Sequence, residues 1–272
     1  MTLKNNRLGV YADYNATTPL CDNVLKEMQA YKSMFGNVSS GHVFGQTMQS
    51  MYDQAVDTLK HYMGASTYSF FSCSSATEAS NWFMYSLLNK VEGCPRVIIT
   101  AIEHPCVAMP LQRYHQDGII DLQVCPVDKH GQVIIDAFES LLTDNTLFVS
   151  IIMANNEIGT IQPMGTLTAL AHKVGAVVMS DCVQACGKTP VDLEALGIDA
   201  AIVSSHKCYA PTGCGGIFIK DSTLLKAWIL GGTQQEQLRA GTINVMGTVL
   251  FAKGVEYCIN ATHEDIGGWV SE

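Results

Sequence analysis

Short apolar runs and longer amphipathic stretches alternate along the chain from about residue 68 to residue 220. The runs Tyr68–Phe71, Val97–Ala101, Ile119–Val127, Leu147–Met153, Ala176–Ser180, Ala200–Ser204 and Gly215–Ile219 are rich in β-branched or aromatic residues. They read apolar on both faces, which predicts strands covered on both sides. Thr77–Lys90, with Trp82, Phe83, Tyr85, Leu87 and Leu88 apolar, and Met164–Val174 carry helical spacing between them. Asp22–Tyr31 reads as a helix ahead of the alternation. The pattern predicts an α/β fold: a mainly parallel, seven-stranded sheet with helices on both faces. Ligands of such sheets sit beyond the carboxyl ends of the strands.

Composition narrows the classes. With 272 residues, 47% hydrophobic and 15% charged, the chain has material for one large core or somewhat more. A formal charge of −9 and the lack of a Lys/Arg cluster argue against a nucleic-acid partner. No apolar run approaches the roughly 18 residues of a membrane span. The first ten residues lack the apolar core of a signal peptide, so a cytoplasmic or organelle-matrix location is expected. Ten cysteines are scattered without a CxxC pair, which favours buried reduced thiols and no metal centre.

Candidate chemistry gathers just after the apolar runs. Lys207 follows His206 at the end of one run, and Asp181, with Gln184 three residues on, ends another. A lysine and an acid on separate strand ends are the minimum set for pyridoxal phosphate: one for the Schiff base, one for the pyridinium nitrogen. Asp181 also suits a helix N-cap, and Lys207 a surface lysine. Ser72–Glu78 opens a helix after the first run and reads either as an anion cradle or as a capping box of Ser74 or Ser75 with Glu78. His104, after Glu103, could stack on a flat ring or be structural. Asn155–Gly159 could offer an amide to a ligand or form a turn with Gly159 at positive φ. Arg239 and Thr242, in a glycine-bounded loop, could reach a phosphate or belong to a plain surface loop.

Taken together these segments resemble the cysteine desulfurases, pyridoxal-phosphate enzymes of the class-V aminotransferase group. The resemblance runs from Val10 to about Gly247. It rests on Asp13-Tyr-Asn-Ala-Thr-Thr-Pro19, Phe35–His42, Ser74–Glu78, Glu103-His104, Asn155–Gly159, Asp181-Cys-Val-Gln184, Ser204–Lys207 and Gly231–Thr242. It implies the large domain of the type-I pyridoxal-phosphate transferase fold over residues 21–250. Residues 1–20 would be a segment associated with the small domain, and residues 251–272 the start of a truncated or absent C-terminal domain. Lys207 and His104 would be catalytic. Ala76, Thr77, Ser204 and His206 would surround the phosphate, and Asn156 and Gln184 would contact the ring oxygen. Asp181 would pair with the ring nitrogen, and Thr242 would reach the phosphate of a second subunit in a homodimer.

The implied reaction converts L-cysteine to L-alanine and passes sulfur to a persulfide. Its destination would be a sulfur-acceptor or iron–sulfur scaffold protein. Ser75, Ser205 and Gln237 stand where the family favours glycine, Val38 where it favours proline, and Cys182 where it favours alanine. Family members continue into a small C-terminal domain holding the loop cysteine and a substrate-binding arginine. The chain therefore reads as a fragment, a shortened relative or half of a split enzyme, with activity impaired by truncation. The alternatives are another class-V activity (selenocysteine lyase or aminotransferase) or a catalytically degenerate partner subunit.

Overall fold

The computed structural model describes residues 10–269, with side-chain surroundings through residue 261. Residues 1–9 of the expected N-terminal segment and residues 270–272 of the expected C-terminal piece lie outside the described residues. In chain order the elements begin with α1 (Asp22–Ala30), α2 (Val43–Tyr62), β1 (Ser69–Cys73), α3 (Ala76–Leu88), β2 (Arg96–Thr100) and α4 (Pro105–Gln116). The middle of the chain forms β3 (Asp121–Cys125), α5 (Ile135–Leu141), β4 (Thr146–Ile152), α6 (Met164–Lys173) and β5 (Val177–Asp181). The last elements are α7 (Leu193–Leu196), β6 (Ala200–Ser204), β7 (Gly215–Ile219) and α8 (Val245–Trp269).

All seven expected strands form, with ends shifted by a residue or two, and they join one sheet in the order β1-β7-β6-β5-β4-β2-β3. β2 to β6 pair in parallel, whereas β7 runs antiparallel to both β1 and β6. Alternate strand residues feed opposite cores, as strand geometry requires. Val97, Ile99, Phe148, Ala200, Ile202 and Ile217 face α3 and α4, where Trp82, Phe83 and Leu111 are fully enclosed. Ile98, Val149, Ile151, Ala201, Val203 and Phe218 face α2, α5, α6 and α8. The sheet is therefore covered on both faces.

Two helices depart from the expected pattern. The sequence reading passes over α2, whose buried stripe of Met48, Tyr52, Ala55 and Leu59 packs against the same core as α8. The stretch expected to begin a C-terminal domain, from residue 251, instead continues α8. That helix is anchored by buried Val245, Val249, Phe251 and Val255, and it carries Gly254, where an added Cβ would fall 2.0 Å from the Cys208 carbonyl. Glycine there reflects close packing against the loop after β6, which local sequence pattern does not report.

Candidate active site

The parallel strands end along one edge of the sheet, and the polar residues that follow them surround a cavity of about 750 Å³. Ala76, Thr77, His104, Asn156, Asp181, Gln184, Ser204, His206 and Lys207 all line it. Thr242 does not; it is exposed and away from the cavity wall.

Lys207 closes a single turn of 3₁₀ helix, Ser205–Lys207, directly after β6. The turn is fixed by Ser205, whose buried hydroxyl donates to the carbonyls of Pro211 and Cys214, the latter at 2.8 Å. This accounts for a serine where the family favours glycine. The Lys207 ammonium donates to the carbonyls of Asn15 (2.5 Å) and Ala16 (2.6 Å). Burial, and then the like charge of Lys188, depress its pKa, against the opposing pull of Asp13 and Asp181. His206 is depressed by burial and by the same two lysines, and its Nδ1 lies 3.2 Å from the Thr17 hydroxyl.

The segment Asp13–Thr18 thus lies along the cavity mouth. The Asn15 amide donates to the Asn156 carbonyl (3.0 Å), and Gln184 donates to the Asn15 carbonyl (3.0 Å). The Thr18 backbone and hydroxyl both donate to the His206 carbonyl. Asn15 and Ala16 enter the sequence reading only within a resembling motif, because contacts separated by about 190 residues leave no local signal.

Asp181 is buried at the end of β5. Its Oδ1 accepts from the Val183 amide at 2.9 Å, and among the described residues its Oδ2 has only the Cys106 thiol at 3.9 Å. Burial raises its pKa despite the Val183 amide and the charges of His104 and Lys207. A buried carboxylate with spare acceptor capacity calls for a donor from whatever fills the cavity. His104 sits at the rim as the N-cap of α4, its Nδ1 accepting from the Cys106 amide at 3.1 Å. Cys106 is a wall residue that the sequence reading missed. Burial and the neighbouring Asp181 push its thiol up to about 12, so it is neutral at physiological pH. His104, Cys106 and Asp181 present ligand atoms within 4.8 Å of one another. A cation held there would claim the same carboxylate that a ring nitrogen needs.

Opposite Asp181 stands the first turn of α3. Ser75 caps it, accepting from the Glu78 amide at 3.1 Å, while Glu78 accepts from the Ser74 amide (2.7 Å) and hydroxyl (2.6 Å). The capping-box reading is therefore correct, and it leaves the Ala76 and Thr77 amides without a protein acceptor among the described residues. Such amides at a helix start suit an anion. Gly215 lets this turn lie against the sheet: a Cβ there would meet Ser75 C at 2.9 Å and Ala76 N at 3.0 Å. Arg239 is not available to a phosphate, because it forms a largely buried pair with Glu78 (2.5 and 3.0 Å). Its loop is tied down further by Gln235, which bonds Ser72 in both directions. Asn155 is structural, holding the Glu157 and Ile158 amides and the Ile102 carbonyl. Gly159 has φ +72°, as the turn reading expects.

The sheet order, the strand-end cavity, and a lysine and a buried acid that both line it define a class: α/β enzymes built like the NifS proteins. A NifS-like protein of known structure superposes with a TM-score of 0.88 at 35% identity, over 94% of this chain and 71% of that one. A structure described as SspA in complex with cysteine gives 0.85 at 28% identity, over 91% and 72%. The class-V aminotransferase profile matches residues 10–267, and the chain belongs to that family. Members of the family depend on pyridoxal phosphate. Among curated relatives, a cysteine desulfurase IscS of Dictyoglomus turgidum is 34% identical over 94% of this chain. One from Methanosarcina thermophila is 34% identical over 91%. The chain spans 66% and 61% of the lengths of these two relatives. Among the described residues no helix is long and apolar enough to cross a membrane.

Proposed function

We propose that the chain forms the cofactor-binding part of a pyridoxal-phosphate-dependent cysteine desulfurase, acting on L-cysteine to give L-alanine and a transferable sulfur. The observation that carries this reading is the pairing of Lys207 and Asp181 on adjacent strand ends across one cavity. The residues fit the cofactor: a buried acid short of donors, a lysine of lowered basicity, and unpartnered amides at the start of a helix. When bound, the cofactor supplies an electron sink for the carbanion at the substrate Cα.

Each residue then has a task. The Ala76 and Thr77 amides, with Ser204 and His206, hold the phosphate. Asp181 keeps the proton on the ring nitrogen, and its burial makes that charge pairing strong. Gln184 donates to the ring oxygen, and Asn156 contacts the same edge. Lys207 would be the residue that holds the cofactor's aldehyde carbon and carries a proton at its Nζ, tasks suited to an amine whose basicity is lowered. His104 covers the ring from the rim of the cavity. Cys106 does not serve as the sulfur-accepting nucleophile, since its thiol is held neutral beside a carboxylate. A second subunit contributing its Thr242 loop, and a protein that takes the sulfur onward, complete the reading.

Ser75 and Ser205, where the family favours glycine, each make a specific hydrogen bond that supports the local turn. The test is to load the purified chain with pyridoxal phosphate, reduce it with borohydride and map the adduct by peptide mass spectrometry. Alanine and sulfide released from L-cysteine under a thiol reductant are measured on a separate, unreduced sample. An adduct on Lys207 with stoichiometric alanine and sulfide is expected. A folded protein without a Lys207 adduct overturns the proposal, and turnover only with L-selenocysteine or an amino donor reassigns it within the family.

A further inference from the structure

Lys188 lies outside the cavity wall, four residues past Gln184. It is half-buried, and its ammonium donates to Gln184 Oε1. No carboxylate pairs with it among the described residues; the thiols of Cys186, Cys208 and Cys258 lie around it instead. An ammonium has donors only, so the Gln184 atom it touches is the oxygen. The amide nitrogen is thereby turned the other way, where one N–H donates to the Asn15 carbonyl at 3.0 Å and the second remains for a ligand.

Lys188 also acts on the reactive amine through its like charge, which opposes protonation of Lys207. The titratable groups that interact with Lys207 are Lys188 from the segment after β5, Asp181 from β5 itself, Asp13 from the N-terminal segment, and His206 in its own turn, whose ring burial keeps neutral. Of the two lysines, Lys207 is the one on the cavity wall. We infer that Lys188 is a positioning residue: it fixes the Gln184 amide with its N–H side toward the ligand and sets a positive charge beside Lys207. The lowered basicity of Lys207 and of His206 agrees with this, since Lys188 contributes to both. A lysine beside a second cation is a recognised way to keep an amine neutral and nucleophilic.

The inference deepens the proposed function but is testable apart from it. Lys188→Met removes charge and donor, Lys188→Gln removes the charge alone, and Lys188→Arg keeps both. First, the Lys207 amine is titrated by competitive acylation across pH in cofactor-stripped protein, read by peptide mass spectrometry. Removing a neighbouring positive charge makes protonated Lys207 easier to keep. The labelling midpoint is therefore expected to rise by about one unit, or roughly tenfold, in the Met and Gln variants and to stay at the wild-type value in Arg. Second, borohydride capture after loading with pyridoxal phosphate is expected to weaken several-fold in Met and to recover in Arg. A wild-type midpoint in both neutral variants, confirmed as folded by circular dichroism, overturns the inference. Failure of wild-type protein to capture pyridoxal phosphate overturns the cofactor reading instead, and the acylation midpoints still decide the role of Lys188.

Discussion

Replacing Gly215 with alanine tests how tightly the anion-binding turn is built onto the sheet. Gly215 opens β7, paired with Cys73 of β1 on one side and Ser204 of β6 on the other. An added Cβ would lie 2.7 Å from the Val203 carbonyl oxygen, 2.9 Å from Ser75 C and 3.0 Å from Ala76 N. These distances are 0.4 to 0.7 Å inside the 3.4 Å at which ordinary contact begins, and all three atoms are backbone, so no side-chain rotation relieves them. Either β6 and β7 part or the start of α3 moves outward. Overpacking of this kind costs about 1–3 kcal/mol. For a chain of this size that is a fall in Tm of roughly 2–8 °C. The displaced groups are the amides of Ala76 and Thr77, so affinity for pyridoxal phosphate falls as well. Thermal unfolding by circular dichroism reads the first effect, and absorbance titration with the cofactor reads the second. Gly41→Ala is the control, because its Cβ would meet nothing within 4 Å and no positive φ strains it. A Gly215→Ala protein with wild-type Tm and cofactor affinity would refute the close-packed cradle.

Three further outcomes follow from the same geometry. Asp181→Asn removes a charge-assisted hydrogen bond worth about 1.5–3 kcal/mol, so cofactor affinity, read by the same titration, should drop by roughly ten- to a hundredfold; unchanged affinity would place the ring elsewhere. Burial raises the Glu103 carboxyl to about 8 even though the Ile152 amide and Thr100 hydroxyl donate to it. Because its folded pKa lies above the ordinary carboxylate value, its contribution is full at acid pH and is lost as pH rises through about 8. Urea unfolding at pH 6 and pH 9 should show wild type losing stability that Glu103→Gln keeps, and parallel pH profiles would count against this. Gln237 occupies φ +64°, where the resembling family favours glycine, and Gln237→Gly should change stability by at most about 1 kcal/mol in the favourable direction. A clear loss in denaturant midpoint would show that the loop does not carry backbone strain there.

The expected site was legible where a residue's role follows from its place in the alternation. Asp181, His206 and Lys207 each end or follow an apolar run, and parallel topology brings such ends to one edge. The capping box of Ser74, Ser75 and Glu78 was legible because five neighbouring residues contain all its parts. Arg239 was open to a phosphate in the sequence because Glu78, its partner, lies 161 residues away. Cys106 was one thiol among ten until α4 set it against Asp181.

Period and composition alone determined the number of strands and their succession along the chain, the burial of all but the edge strand β3, and which polar residues stand at their ends, since these depend on neighbours within a few residues. The tertiary structure decided the reversed direction of β7, the packing of α2 and α8 on one core, and the N-terminal segment along the cavity mouth. It also decided which titratable groups are desolvated and which cation is already paired. Those outcomes depend on contacts and electric fields between residues far apart in the chain, and only the closed fold brings them within range.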